Sequence, residues 1–199
     1  MTHEQIRATR EQQHEVGARF LCATALAYLV HGLSVDVIHV DEDGLGETSG
    51  AVRVIDAADS GRISLVGDAV QLEWLTASMG QDAAIKRTLD IWEQAAVTAF
   101  HDEDDDNDSG VLKGRSIFVS APWAIAFVAA NRALITELAA LLRASDGHLE
   151  PAAFLPVVEG RITSVTSEAS NAAYEMLEPY EAQLKEIQSV LSAWRKLQN

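Results

Sequence analysis

LSVDVIHVDEDGLGETSGAVRVIDAADSGRISLVG, residues 33–67, is where the hydrophobic period of the chain changes, and its reading decides the fold. Residues 33–40, 51–56 and 62–67 are rich in β-branched side chains and largely alternate apolar with polar, the period of two expected of a half-buried strand. The segments between them, DEDGLGETSG and AADSG, have turn compositions. A three-stranded antiparallel meander over 33–67 is therefore expected. Three strands with one apolar face need a helix to cover it, and the nearest candidate lies immediately upstream.

That upstream segment opens with Thr2 and Gln5 in capping-box spacing, and Ile6, Thr9, Val16, Phe20, Ala23, Ala27 and Val30 then recur at helical steps. Gly32 supplies a left-handed stop. The first half of this helix is polar on most faces and the second half apolar nearly all round, so the second half is expected in the core. Downstream, Asp68 with Gln71 reads as the N-terminal cap of a short helix carrying Val70, Leu72, Trp74, Leu75 and Met79. Asp82 caps another, with Ile85, Leu89, Trp92, Ala96, Val97 and Phe100 on one face. A charged loop over 101–110 and a short extended piece over 116–119 follow. Pro122 then opens a long Ala-rich helix over 123–144, ended by Ser-Asp-Gly.

No glycine follows Gly160, and Ile162, Val165, Ala169, Ala172, Met176, Tyr180, Leu184, Ile187, Leu191 and Trp194 draw a seam at three- and four-residue steps. Pro179 predicts a kink or break after Glu178. The expected fold is a single α+β domain of 199 residues in which helices dominate: a long N-terminal helix, a three-stranded antiparallel meander, then a bundle of about four helices.

Charge narrows the partners. The chain carries 30 acidic against 15 basic side chains, a net charge of −15, which disfavours direct binding to nucleic-acid phosphates or to anionic membrane. Residues 33–68 hold eight acids and two bases, and residues 101–110 hold six acids and no Lys or Arg, so these segments carry −12 of the total. Such focused fields steer basic partners and also keep an Ala-rich helical protein soluble. Cys22, the lone cysteine, excludes an intrachain disulfide and fits a reducing compartment. The N-terminal stretch lacks a basic segment followed by an apolar run, and the expected location is the cytoplasm. The apolar stretches 20–30 and 117–130 fall short of the roughly 20 residues of a membrane span, and the second runs into Asn131, Arg132 and Glu137. Both read as buried helix.

A calcium loop framed from Asp104 or Asp105 puts Arg115 or Ser116 where the closing Glu belongs. His101-Asp102 resembles the metal-binding dipeptide of the HD phosphohydrolases, and the resemblance implies a metal-dependent hydrolase with His14 as first ligand and Asp146 as last. Against it, a meander intervenes and His101 precedes a run of acids rather than an apolar turn. Ala18 stands where a zincin's second His belongs, and DGLGETSG lacks the Lys-Ser/Thr ending of a phosphate loop. Cys22 lies in the most apolar part of its helix and reads as a small hydrophobe. Asp41 and Asp43 beside His39 are the other polar cluster of catalytic type, and they fall on a turn, where acids serve conformation.

No catalytic or metal-ligating set is therefore assigned, and no cofactor. The expected function is that of an acidic inhibitor or regulator docking on a basic protein surface, of the general character of phage-encoded anti-defence proteins and nuclease immunity proteins. The binding residues expected are Asp102, Glu103, Asp104, Asp105, Asp106 and Asp108, with Asp41, Glu42, Asp43, Glu47 and Trp194. The seam over 162–197 is a candidate homodimer contact, and a helical assembly or chaperone-like protein is the third reading.

Overall fold

The computed structural model describes residues 10–50, 57–101 and 116–197, with side chains over 10–50, 59–94 and 116–193. The fold is α+β with helices dominating: α1 (Arg10–Val30), β1 (Val37–Val40), β2 (Gly46–Ser49), α2 (Ala57–Met79), α3 (Gln81–His101), α4 (Ile117–Ala144), β3 (His148–Leu149), α5 (Pro151–Val158), α6 (Ser167–Leu177), a 3-10 turn (Glu178–Tyr180) and α7 (Glu181–Leu197). The chain divides into two compact units, Met1–Arg53 with Asn131–Ile162 and Val54–Ala130 with Thr163–Asn199.

In the first unit the three strands form an antiparallel sheet in the order β2-β1-β3. Alternation along β1 turns Ile38 and Val40 into the core, where Leu149 of β3 pairs beside Ile38, and leaves His39 exposed. Helix α1 lies on this sheet. Its second half is buried on all sides at Leu21, Cys22, Ala23, Ala25, Leu26 and Ala27, as its composition implied, and Thr48 Oγ1 donates to Leu21 O at 3.0 Å. The hairpin tip approaches the helix backbone so closely that a Cβ on Gly17 would lie 1.8 Å from Gly44 O. The second half of α4 contributes the stripe Leu134, Ile135, Leu138, Ala139 and Leu142, all buried. Arg161 forms a two-pronged pair with Glu137, at 3.0 and 2.6 Å, and also donates to Val157 O at 2.9 Å.

In the second unit α2 and α3 pack as a helical hairpin around Gly80 (φ 85°), and α3 also packs on α7. Leu184, Ile187 and Leu191, the α7 part of the C-terminal seam, are buried within the chain itself. Gln183 Nε2 donates to Asp90 at 3.1 Å, and the Tyr180 hydroxyl donates to Asp82, which also accepts from Lys86 at 2.9 Å. The Ile117 N–H at the start of α4 donates to Gln188 Oε1 at 2.9 Å. Trp123 stacks on Phe127 with centroids 4.9 Å apart, and the Arg62 guanidinium sits 5.7 Å from the Trp123 ring centre.

Several expectations are corrected. Residues 62–67 are helix, not strand: Ile63, Val66 and Val70 with Leu65, Ala69 and Leu72 keep a helical period across the whole of α2, and that longer register overrides six residues of β-branched composition. Asp68 accordingly sits in mid-helix and caps nothing. The second strand is Gly46–Ser49, inside what reads as a turn, and the third comes from His148–Leu149. Residues 51–56 lie outside the described residues. Helix α4 starts at Ile117, so residues 117–119 are not extended and Pro122 is internal, where its missing N–H faces the Phe118 carbonyl. Ile162 and Val165 precede α6, and Ala173 and Leu177 rather than Ala172 and Met176 are its buried positions. The break at Pro179 falls as expected. Trp92 is core, and Trp123, read within a buried stretch, is half-buried beside Arg62.

Among the described helices, α4 alone is long and apolar enough to cross a membrane, with a mean hydropathy of 1.7 over its best window, half of which is buried inside the protein.

The α1 to hairpin approach is testable. Gly17→Ala should lower unfolding stability by about 2 kcal/mol, the cost of overpacking against backbone that has no rotamer to yield. Gly160→Ala, with nothing within 4 Å of the added carbon, should show only the smaller penalty of a positive φ. Urea unfolding of both variants checks the order.

Candidate functional site

The β1–β2 hairpin holds five acids, Asp36, Asp41, Glu42, Asp43 and Glu47, and no Lys or Arg, and all five are exposed. Its turn is built by the first acid of the DED run. The Asp41 carboxylate accepts the backbone N–H groups of Asp43 and Leu45, each at 2.9 Å, and Gly44 takes φ 80°. An aspartate in that position fixes a turn by satisfying donors that no strand partner reaches. Asp41 therefore sets the shape of the tip, and Glu42 and Asp43 project from it. Arg10 of α1 pairs with both, at 3.2 and 3.1 Å, with all three side chains mostly in solvent. Exposed pairs of this kind hold little energy. Glu47 lies on the outward face of β2, directly across from His39.

The sheet face beside the hairpin carries a row that the sequence does not announce. His39 pairs with Glu47 on one side and with His148 on the other. The His39 Nδ1–H donates to Gly147 O at 3.1 Å, the two imidazole centroids are 6.1 Å apart, and His148 Nε2 is 3.9 Å from Glu150 Oε1. His148 escaped notice because it joins His39 only through a two-residue strand more than a hundred positions away.

Other sequence candidates fare differently. Asp102, Glu103, Asp104, Asp105, Asp106 and Asp108, and with them both calcium frames, lie outside the described residues, as do the side chains of His101 and Trp194. Of the HD-like set, side chains are described only for His14, half-buried on α1, and Asp146, in the turn after α4. Among the described residues no three His, Cys, Asp or Glu side chains converge as a metal cage. The cluster of Asp41, Asp43 and His39 does not form a catalytic group: each is engaged with a different partner, the turn, Arg10 and Gly147 respectively. Cys22 is fully buried, and burial pushes its thiol up to about 12, which leaves it no nucleophilic thiolate near neutrality.

In the second unit, Asp68 is a carboxylate that sequence reasoning misassigned. It accepts the Trp92 indole N–H at 2.9 Å, and burial pushes its carboxyl up to about 6 although that hydrogen bond pulls the other way. A mid-helix Asp on α2 facing a Trp 24 residues on, on α3, gives no local sign of this contact.

Comparison of the chain with protein-family models, with curated proteins and with solved structures finds no match.

Asp68 makes a pH prediction. A carboxyl whose folded pKa lies above its unfolded value favours the fold while protonated, so its contribution is fullest below about pH 4 and is lost as pH rises through about 6. Asp68→Asn keeps an oxygen for Trp92 and removes the ionisation. The variant should match the wild type near pH 4 and exceed it by up to about 3 kcal/mol at pH 7.5. Denaturant midpoints across that range measure the difference, and a gap that does not grow with pH would contradict the assignment.

Proposed function

We propose that the protein is a non-enzymatic acidic binder, an inhibitor or regulator that docks on a basic surface of another protein. The observation that carries this reading is the β1–β2 hairpin, which presents exposed carboxylates on a turn whose backbone is held by Asp41 and by the close approach of Gly44 to α1. Fixed charges on a rigid tip lose little side-chain and loop entropy on docking, and they bring a basic partner in at a faster, salt-sensitive rate. Arg10 is a weakly held counter-charge that a partner's own Lys or Arg can replace at Glu42 and Asp43. A surface that ordinarily holds nucleic acid suits such a tip, because spaced carboxylates present charge much as phosphates do. The acids of 102–108 add a second segment of the same sign.

The test is affinity capture with the full chain as bait at ~0.05 M and ~0.5 M salt, where screening lengths differ about threefold. Basic nucleic-acid-binding proteins should be retained at low salt and released at high salt. The combined variant Glu42→Gln, Asp43→Asn, Glu47→Gln leaves Asp41 to hold the turn and should cut retention at least about tenfold, equivalent to roughly 1.4 kcal/mol. Retention that survives both this variant and conversion of the 102–108 acids to amides would overturn the reading.

A further inference from the structure

We propose that the outward face of the sheet is a two-histidine site for a divalent transition-metal ion, with His39 and His148 as its protein ligands and water completing the coordination. The strand register places the two residues directly opposite each other, and their inward neighbours Ile38 and Leu149 are buried, so both imidazoles stand on the solvent side of the same sheet. Metal–nitrogen bonds of about 2.0–2.1 Å put two imidazole centroids about 5 Å apart on a tetrahedral ion and ~6.4 Å apart when trans to one another. The observed 6.1 Å lies between these, so chelation at a tetrahedral ion closes the two rings by about 1 Å through side-chain rotation.

The tautomer of His39 is already that of a ligand. Gly147 O can only accept, so Nδ1 carries the proton and Nε2 keeps the lone pair. Metal-binding histidines are commonly oriented in this way, by donating the other ring nitrogen to a backbone carbonyl. Gly147 O also accepts the Val40 N–H at 2.8 Å, which anchors that carbonyl to the sheet itself. Glu47, across from His39, and Glu150, 3.9 Å from His148 Nε2, add negative charge beside the rings without making a third ligand. Imidazole donors select Zn, Ni or Cu over Mg or Ca. The bound ion would tie β3 to β1, the pairing that the two-residue strand makes with the least backbone.

The experiment uses the full chain and the metal salts alone. Zn²⁺ or Ni²⁺ should raise the melting temperature saturably, as any ligand confined to the folded state does, and Mg²⁺ should not. His39→Gln and His148→Gln should each weaken the apparent affinity at least tenfold. In the wild type, substoichiometric Ni²⁺ should broaden the imidazole resonances of His39 and His148 before those of the other histidines, which tests the site without any variant. Absence of saturable stabilisation, affinity unchanged in His148→Gln, or first broadening at another histidine would each overturn the proposal.

Discussion

Gly147 is the point at which the first unit closes. Its carbonyl accepts the Val40 N–H at 2.8 Å and the His39 ring N–H at 3.1 Å from a strand 108 residues away. Its φ of 75° follows Asp146 at 50°, so two successive residues in the left-handed region turn the end of α4 back toward the sheet. A side chain there is excluded twice, by that conformation and by Val40 O, which would lie 2.2 Å from an added carbon. The entropic cost of closing a loop rises only with the logarithm of its length. A long excursion containing α2 and α3 is thus tolerated between β1 and β3, provided the short pairing that ends it is tightly specified.

This dependence explains what was legible. Local signals act over a few residues, and they marked the stop at Gly32, the turn at Gly80, the Ser-Asp-Gly end of α4 and the break at Pro179. Alternation over 33–40 marked β1, of which 37–40 is strand, because one face of that strand is core. Strand β2 reads Gly-Glu-Thr-Ser and carries no apolar alternation; it is a strand because β1 offers a ladder and α1 accepts Thr48. Strand β3 is two residues long, below the length at which any period exists. Residues 62–67 failed in the opposite direction: a locally β-like composition was absorbed by a helix whose period shows only over a window several times longer. Of the candidate site, the acids of the hairpin were visible as charge, but their division of labour required the turn geometry, and His148 required the sheet.

Carboxylates of equal formal charge do very different things here. Asp41 is a backbone-capping group, and Asp68 a half-buried one whose ionisation opposes folding. Asp82 is held below the usual carboxylate range by the Tyr180 hydroxyl and then by Lys86, and Glu137 likewise by Arg161. Each answers to a structural partner first. Asp36, just before β1, and Glu47 on β2 stand exposed, and Glu42 and Asp43 share a weak exposed guanidinium. A net charge of −15 is therefore a poor measure of what a partner meets, and the hairpin a better one.

The same alternation that builds the core also selects what is displayed. Because side chains along a strand change face at every residue, burying Ile38 and Val40 obliges His39 to face outward, and pairing Ile38 with Leu149 obliges His148 to join it. A slip of one residue in β3 would bury a histidine and expose Leu149 together, so the register that secures the core is also what holds the Glu47–His39–His148 row in line. The polar row needs no stabilisation of its own to remain ordered. It inherits its geometry from the apolar face behind it, which is how so small a sheet can present side chains from two distant parts of the chain at fixed separation.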